Sequence, residues 1–215
     1  MTHQLRRMAY LGVLLAMAIA AALTEAIAGP EIDPKAGKTL VNLQAAYNGE
    51  SNARLRYVAY ANRAYVEGYG QVASLFRAAA EAEEIHMRNH AEVIRKMGAE
   101  PYTILEMPLL RSTKENLEYA ADQGEAYERD TMYPEFIKQA QAEGNEDAVR
   151  TFGLARKAEA QHFRLFTEAL GNLENMKGKS HPYYVCTACG YTTAEPPTGD
   201  CVSCSSASEK YQAVD

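Results

Sequence analysis

A repeated pair of acidic and imidazole side chains constrains this chain more than any other feature. Glu83-Glu-Ile-His86 follows Glu50 by 33 positions, and Glu159-Ala-Gln-His162 follows Glu125 by 34. Residues three apart on a helix share a face, so each Glu-x-x-His offers a carboxylate and an imidazole to one point. A single motif of this kind is ordinary helix-surface chemistry, whereas two in equivalent positions, each preceded by a glutamate, are not. Carboxylates turned toward a core cost several kcal/mol apiece as unpaired ions, or must become neutral. The core is therefore expected to hold a strong positive charge. One glutamate from each of two helices plus a Glu-x-x-His from each of the other two is the donor set of di-metal carboxylate bundles. Such mixed donors suit iron or manganese better than calcium.

The rest of the pattern supplies the helices. The first is predicted from about Thr39 to Glu67, with Leu40, Leu43, Tyr47, Glu50, Arg54 and Tyr57 on one face. The second runs from about Gln71 to Met97 and stops at Gly98. A third starts at a capping box, Ser112 with Glu115, and continues to about Glu143. The fourth covers about Glu146 to Leu170. Short connections near Gly68 and Gly144 and a longer one with Pro101 and Pro108 predict a mostly α four-helix bundle with one long crossover.

The stretch GEAYERDTMYPEF, residues 124–136, breaks the symmetry of the repeat. Glu128 lies three residues after Glu125, while the equivalent position after Glu50 is Ala53. A seventh ligand is thus expected, from one half only. Glu81, Glu84 and Glu143 read as solvated.

All four cysteines lie in the last thirty residues. After a linker, residues 177–182, Cys186-x-x-Cys189 and Cys201-x-x-Cys204 form two knuckles expected to share one tetrahedral metal. Disulfides are the alternative in an exported chain, and iron and zinc both accept four thiolates. Residues 1–28 differ in composition: Arg6 and Arg7 precede an apolar run from Met8 to Leu23, and Ala26-Ile27-Ala28 follows. That order reads as a signal peptide, with an uncleaved membrane anchor and a soluble helix as competing readings. Either of the first two places the remainder outside the cytoplasm, in the periplasm or facing it. A formal net charge of −6 provides no basic surface for nucleic acid.

The segments GESNARLRY, AEEIH, GEAYERDTMYPEF and AEAQH, with YYVCTACGY and a second Cys-x-x-Cys, closely resemble the rubrerythrin family from about Thr39 to the C-terminus. The resemblance implies a ferritin-like di-iron domain over 29–176 and a rubredoxin-like domain over 183–215. It implies two irons bound by Glu50, Glu83, His86, Glu125, Glu128, Glu159 and His162, and one in the site of Cys186, Cys189, Cys201 and Cys204, where zinc is the alternative. Val202 and Ser205 depart from the rubredoxin pattern of proline and glycine at these positions. It further implies that Glu128 holds one iron when oxidised and that His86 takes it when reduced, with Tyr57, and a second match at Tyr133, beside the site. The implied activity is reduction of hydrogen peroxide to water by a homodimer fed by an electron-donor reductase, the rubredoxin-like module of one subunit lying near the di-iron site of the other. An iron-handling ferroxidase and a bundle carrying a structural zinc ribbon are the alternatives.

Overall fold

The computed structural model describes residues 37–215, so the proposed export segment, 1–28, lies outside the described residues. Helix α1, Lys38–Val66, begins after Gly37, which has no side chain to cap it. Glu143 caps it from the other half of the bundle, its two oxygens accepting from the Lys38 and Thr39 amides at 2.9 and 3.0 Å. Glu143 is exposed as expected, but it is a structural cap and not merely a solvated charge. Arg54, expected on the inner face, is exposed and pairs with Glu84 at 2.6 Å. Helix α2, Gly70–Lys96, follows a turn at Gly68 and ends before Gly98, with Arg95 and Lys96 complementing the negative end of its dipole.

The crossover is held along α1 by two carboxamides. Asn48 Oδ1 accepts from the Ile104 amide at 2.7 Å, and Asn52 Oδ1 accepts from the Glu106 amide at 2.8 Å. Helix α3, Thr113–Tyr119, starts at the expected Ser112–Glu115 capping box. The third bundle element is not the single α-helix that the sequence suggests. It passes through two π-helical stretches, Ala120–Glu125 and Glu128–Met132, before α4, Tyr133–Ala142. These wider turns carry Glu125 and Glu128, a placement typical of π-bulges at functional sites. Helix α5, Glu146–Gly171, is capped by Asn145, whose Oδ1 accepts from the Ala148 amide.

Two apolar layers enclose the polar centre of the bundle. One contains Tyr57, Leu75, Phe76 and Phe166, and the other Leu43, Ile94, Tyr133 and Phe152. No helix among the described residues is long and apolar enough to cross a membrane.

The C-terminal module is a three-stranded antiparallel sheet in the order β2-β1-β3, with β1 Tyr183–Cys186, β2 Thr192–Thr193 and β3 Tyr211–Val214. Its linker is tied to the α1–α2 turn, where the Gly178 amide donates to the Gly68 carbonyl at 3.0 Å. Gly70 makes room for this: a Cβ there would stand 2.1 Å from the Gly178 oxygen. Tyr183 and Val185 of β1 join the apolar layer of the bundle. The module is therefore seated on the bundle of its own chain.

Candidate metal centres

Six side chains from the four bundle elements meet at the centre. Glu50, Glu83, His86 and Glu159 bring one donor atom each within 4.8 Å of one another, and Glu83, Glu125, Glu159 and His162 do the same. Glu83 and Glu159 belong to both groups and stand where they can bridge two ions. His86 Nδ1 lies 2.8 Å from Glu83 and 2.9 Å from Glu159, and His162 Nδ1 lies 2.8 Å from Glu159. All six residues are at most 1% exposed.

Three carboxylate oxygens in this cluster, Glu50 Oε2, Glu83 Oε1 and Glu125 Oε2, are buried without a hydrogen-bond partner, and Glu159 Oε1 has only His86 Nδ1 beside it. Such atoms carry a large desolvation penalty unless something binds them. Burial and then the neighbouring carboxylates push the pKa of Glu83, Glu125 and Glu128 well above the usual range. Burial opposes charge on His86, yet Glu159 and Glu83 outweigh it and raise its pKa well above the usual value. Glu159 moves the other way, because His86 and His162 outweigh its burial. Protons thus compensate part of the negative charge, and a pair of cations would satisfy the three orphaned oxygens directly. The donor set fits two ions of the kind that accept mixed oxygen and nitrogen ligands.

Glu128 is buried but belongs to neither four-donor group. His86 completes the group containing Glu50, so the two side chains expected to alternate at one ion are not both engaged. Tyr127, beside Glu128 in sequence, is 53% exposed. Tyr57 donates to Glu125 Oε1 at 2.6 Å, and Tyr133 donates to Glu50 Oε1. Burial, reinforced by these carboxylates, pushes both phenol pKa values well up, so both keep their protons.

One residue at the site was not singled out from sequence. His90, fully buried, lies between Tyr133 and Thr151, with Nε2 3.1 Å from the Tyr133 oxygen and Nδ1 3.0 Å from Thr151 Oγ1. It sits one helical turn beyond His86, on the same inward face, and that spacing was the available signal.

The four cysteines form the second centre. Sγ–Sγ separations are 3.7 Å for both Cys186–Cys204 and Cys189–Cys201. A tetrahedron with metal–sulfur bonds of about 2.3 Å has edges of about 3.8 Å, whereas bonded sulfurs lie about 2.05 Å apart. The cluster is a metal site, and the disulfide alternative does not describe it. The knuckles are near copies: the Gly190 amide donates to the Cys186 carbonyl at 2.8 Å, and the Ser205 amide to the Cys201 carbonyl at 2.7 Å. Both residues after the second cysteine adopt positive φ, 78° for Gly190 and 59° for Ser205. Ser205 thus keeps the conformation that glycine would take more easily. Ser206 Oγ lies 3.3 Å from Cys204 Sγ, placed to donate to a thiolate.

The two centres touch. His86 Nε2 is 3.1 Å from the carbonyl oxygen of Cys189, and His162 Nε2 is 3.1 Å from Thr192 Oγ1. The Thr192 hydroxyl donates to the Gly190 carbonyl at 3.0 Å, so its oxygen is left to accept from His162. Each imidazole can therefore donate from Nε2 to the module and present the Nδ1 lone pair to the carboxylate cluster, the tautomer a metal requires. Arg88 and Asn89 donate to the Thr187 and Ala188 carbonyls and fasten the same edge. Within the one chain, the tied linker and these bonds seat the module against the di-metal cluster of its own bundle.

The sequence profile described as Rubrerythrin matches residues 41–170. The chain belongs to the rubrerythrin family. It is 39% identical over 157 residues to nigerythrin from Nitratidesulfovibrio vulgaris, covering 72% of this chain and 76% of that one. It is 33% identical over 174 residues to Rubrerythrin-2 from Clostridium acetobutylicum, covering 80% and 94%. A solved structure of the fully reduced, all-ferrous state of nigerythrin superposes with a TM-score of 0.76 at 34% identity, covering 86% of this chain and 90% of that one. This rubrerythrin-family chain therefore combines a ferritin-like di-iron site with a four-cysteine, rubredoxin-like site, and its family relatives are oxidoreductases.

Proposed function

We propose that this chain reduces hydrogen peroxide to water with electrons that enter at the four-cysteine site. The observation that carries the reading is the bond from His86 to the Cys189 carbonyl, which joins a cysteine of one centre to a ligand of the other with no intervening side chain. Held by these residues, a pair of irons would supply the two electrons that cleavage of the O–O bond requires. Peroxide takes up these electrons and two protons, and two waters leave.

The chain's own residues prepare that chemistry. Glu83 and Glu159 hold the two positions close together, while His86 and His162 are oriented from outside by Cys189 and Thr192. Tyr57 and Tyr133 retain their protons and aim them at carboxylates, which fixes Glu125 and Glu50 in the cluster. The flanking apolar layers keep bulk water from the centre. Glu128, buried beside the cluster but outside both donor groups, is the carboxylate available to change places with His86.

The test is Cys189→Ser in the iron-loaded chain. The pre-reduced variant should consume peroxide once and then stall, while the wild type turns over continuously with the same donor. Sustained turnover by the variant would remove the four-cysteine site from the path. Rapid oxidation of added ferrous iron without peroxide turnover would favour iron handling instead.

The same reading includes a homodimer supplied by a separate reductase, and export directed by residues 1–28, with the catalytic domain in the periplasm whether that segment is cut or retained as an anchor. Intact mass and fractionation from the native host test the export proposal. Full-length chain in the soluble cytoplasm would overturn it.

A further inference from the structure

His90 and Thr151 are assigned no part by the ligand set, yet both are buried and both are spent on one line of hydrogen bonds that ends at Glu50. The direction of every bond in that line follows from chemistry. An ionised Glu50 can only accept, so the single Tyr133 proton points to Glu50 Oε1. The Tyr133 oxygen must then accept from His90, which places the His90 proton on Nε2. His90 Nδ1 is left with a lone pair and accepts from the Thr151 hydroxyl. His90 itself is too far from Glu50, at 3.9 Å, to replace Tyr133 as the donor.

We infer that Thr151 and His90 are positioning residues that lock the Tyr133 proton onto Glu50 and so leave Glu50 Oε2 as the oxygen offered to a metal. Oε2 is the buried oxygen of that carboxylate without a partner, whereas Oε1 is occupied. Without the Thr151 hydroxyl, His90 can place its proton on Nδ1. Nε2 then becomes an acceptor that competes with Glu50 for the Tyr133 proton. A carboxylate released from a hydrogen bond is a stronger anionic donor, and it stabilises the more highly charged oxidation state of a bound metal.

The inference rests on the di-iron reading for its effect on the metal, but not for the direction of the bonds. Two measurements on the full-length chain keep these apart. In the zinc-loaded, ¹⁵N-histidine-labelled protein, His90 should be the neutral tautomer protonated on Nε2, and Thr151→Val should lose that preference. In the iron-loaded protein, Thr151→Val should move the midpoint potential of the di-iron site to a more negative value, and Thr151→Ser, which restores the hydroxyl, should return it. A wild-type His90 protonated on Nδ1 would overturn the inference. So would a Thr151→Val protein with an altered tautomer and an unmoved potential. If the chain fails to retain two irons, the di-iron reading fails, and the tautomer measurement still decides the direction of the line.

Discussion

Gly190 meets His86 so closely that no side chain could stand between them: a Cβ at Gly190 would lie 2.4 Å from His86 Nε2. The positive φ of 78° at Gly190 makes the approach possible and adds a second reason for glycine. Gly190→Ala should therefore push the module off the bundle without dismantling either centre. Iron content should be unchanged, while the rate at which electrons leave the four-cysteine site falls by about tenfold or more, as for other losses of a bond that orients a metal ligand. Stopped-flow measurement at the thiolate-to-iron absorption band checks this, and an unchanged rate would show that the close approach is not needed.

Glu128→Ala removes a buried carboxylate that neither four-donor group contains. The other six ligands should still bind two metals. Peroxide turnover should fall about 10- to 100-fold, the usual range for groups that support a metal site without forming its fixed shell. Metal analysis beside steady-state rates separates the two effects, and full activity with two irons retained would deny Glu128 its role.

The metal-free chain should lose stability as pH rises. Glu83, Glu125 and Glu128 have folded-state pKa values raised above 4.5, and His86 is raised above 6.5. The folded state thus binds protons that the unfolded state releases, and their stabilisation is lost as pH climbs through the raised values. Glu159 is shifted downward, so its contribution is lost only as pH falls below 4.5, outside this window. Thermal melts from pH 5 to 8 (a range set by that linkage) should show a declining Tm for the stripped chain. The loaded chain should not follow that decline, since cations replace the protons.

Ser205→Gly should strengthen the second knuckle. Ser205 holds φ at 59°, a left-handed conformation that costs a residue with a Cβ about 1 kcal/mol. The substitution should slow metal loss to a chelator about fivefold, the factor that corresponds to 1 kcal/mol, provided the Ser205 amide keeps its bond to the Cys201 carbonyl. Equal loss rates would place the strain elsewhere.

Much of this arrangement was legible in the sequence because it is periodic. Glu50, Glu83, His86, Glu125, Glu159 and His162 recur at helical spacing, and six of the seven expected donors meet in two overlapping groups. The π turns escaped because a wider turn leaves the local composition unchanged; only the required convergence of Glu125 with residues from other helices would have signalled it. Arg54 shared the spacing of the inward residues, but a charged group can pair with Glu84 at the surface, and spacing does not distinguish these outcomes. His90 was overlooked because its role depends on Tyr133 and Thr151, which are distant in sequence. The seating of the module could not be read either, because it depends on glycines whose importance lies in what they leave room for.

The carboxamides of Asn48 and Asn52 also bear on the order in which the chain assembles. They satisfy crossover amides about fifty residues away, while α1 and α2 are joined by a short turn. Until α1 is helical, those amides have no fixed partner and the crossover remains solvated. Contacts close in sequence form before distant ones because less chain entropy is lost in closing them. Each helical hairpin should therefore form first, with the crossover laid down as they join, and the carboxylate cluster, which needs all four elements, should be completed last.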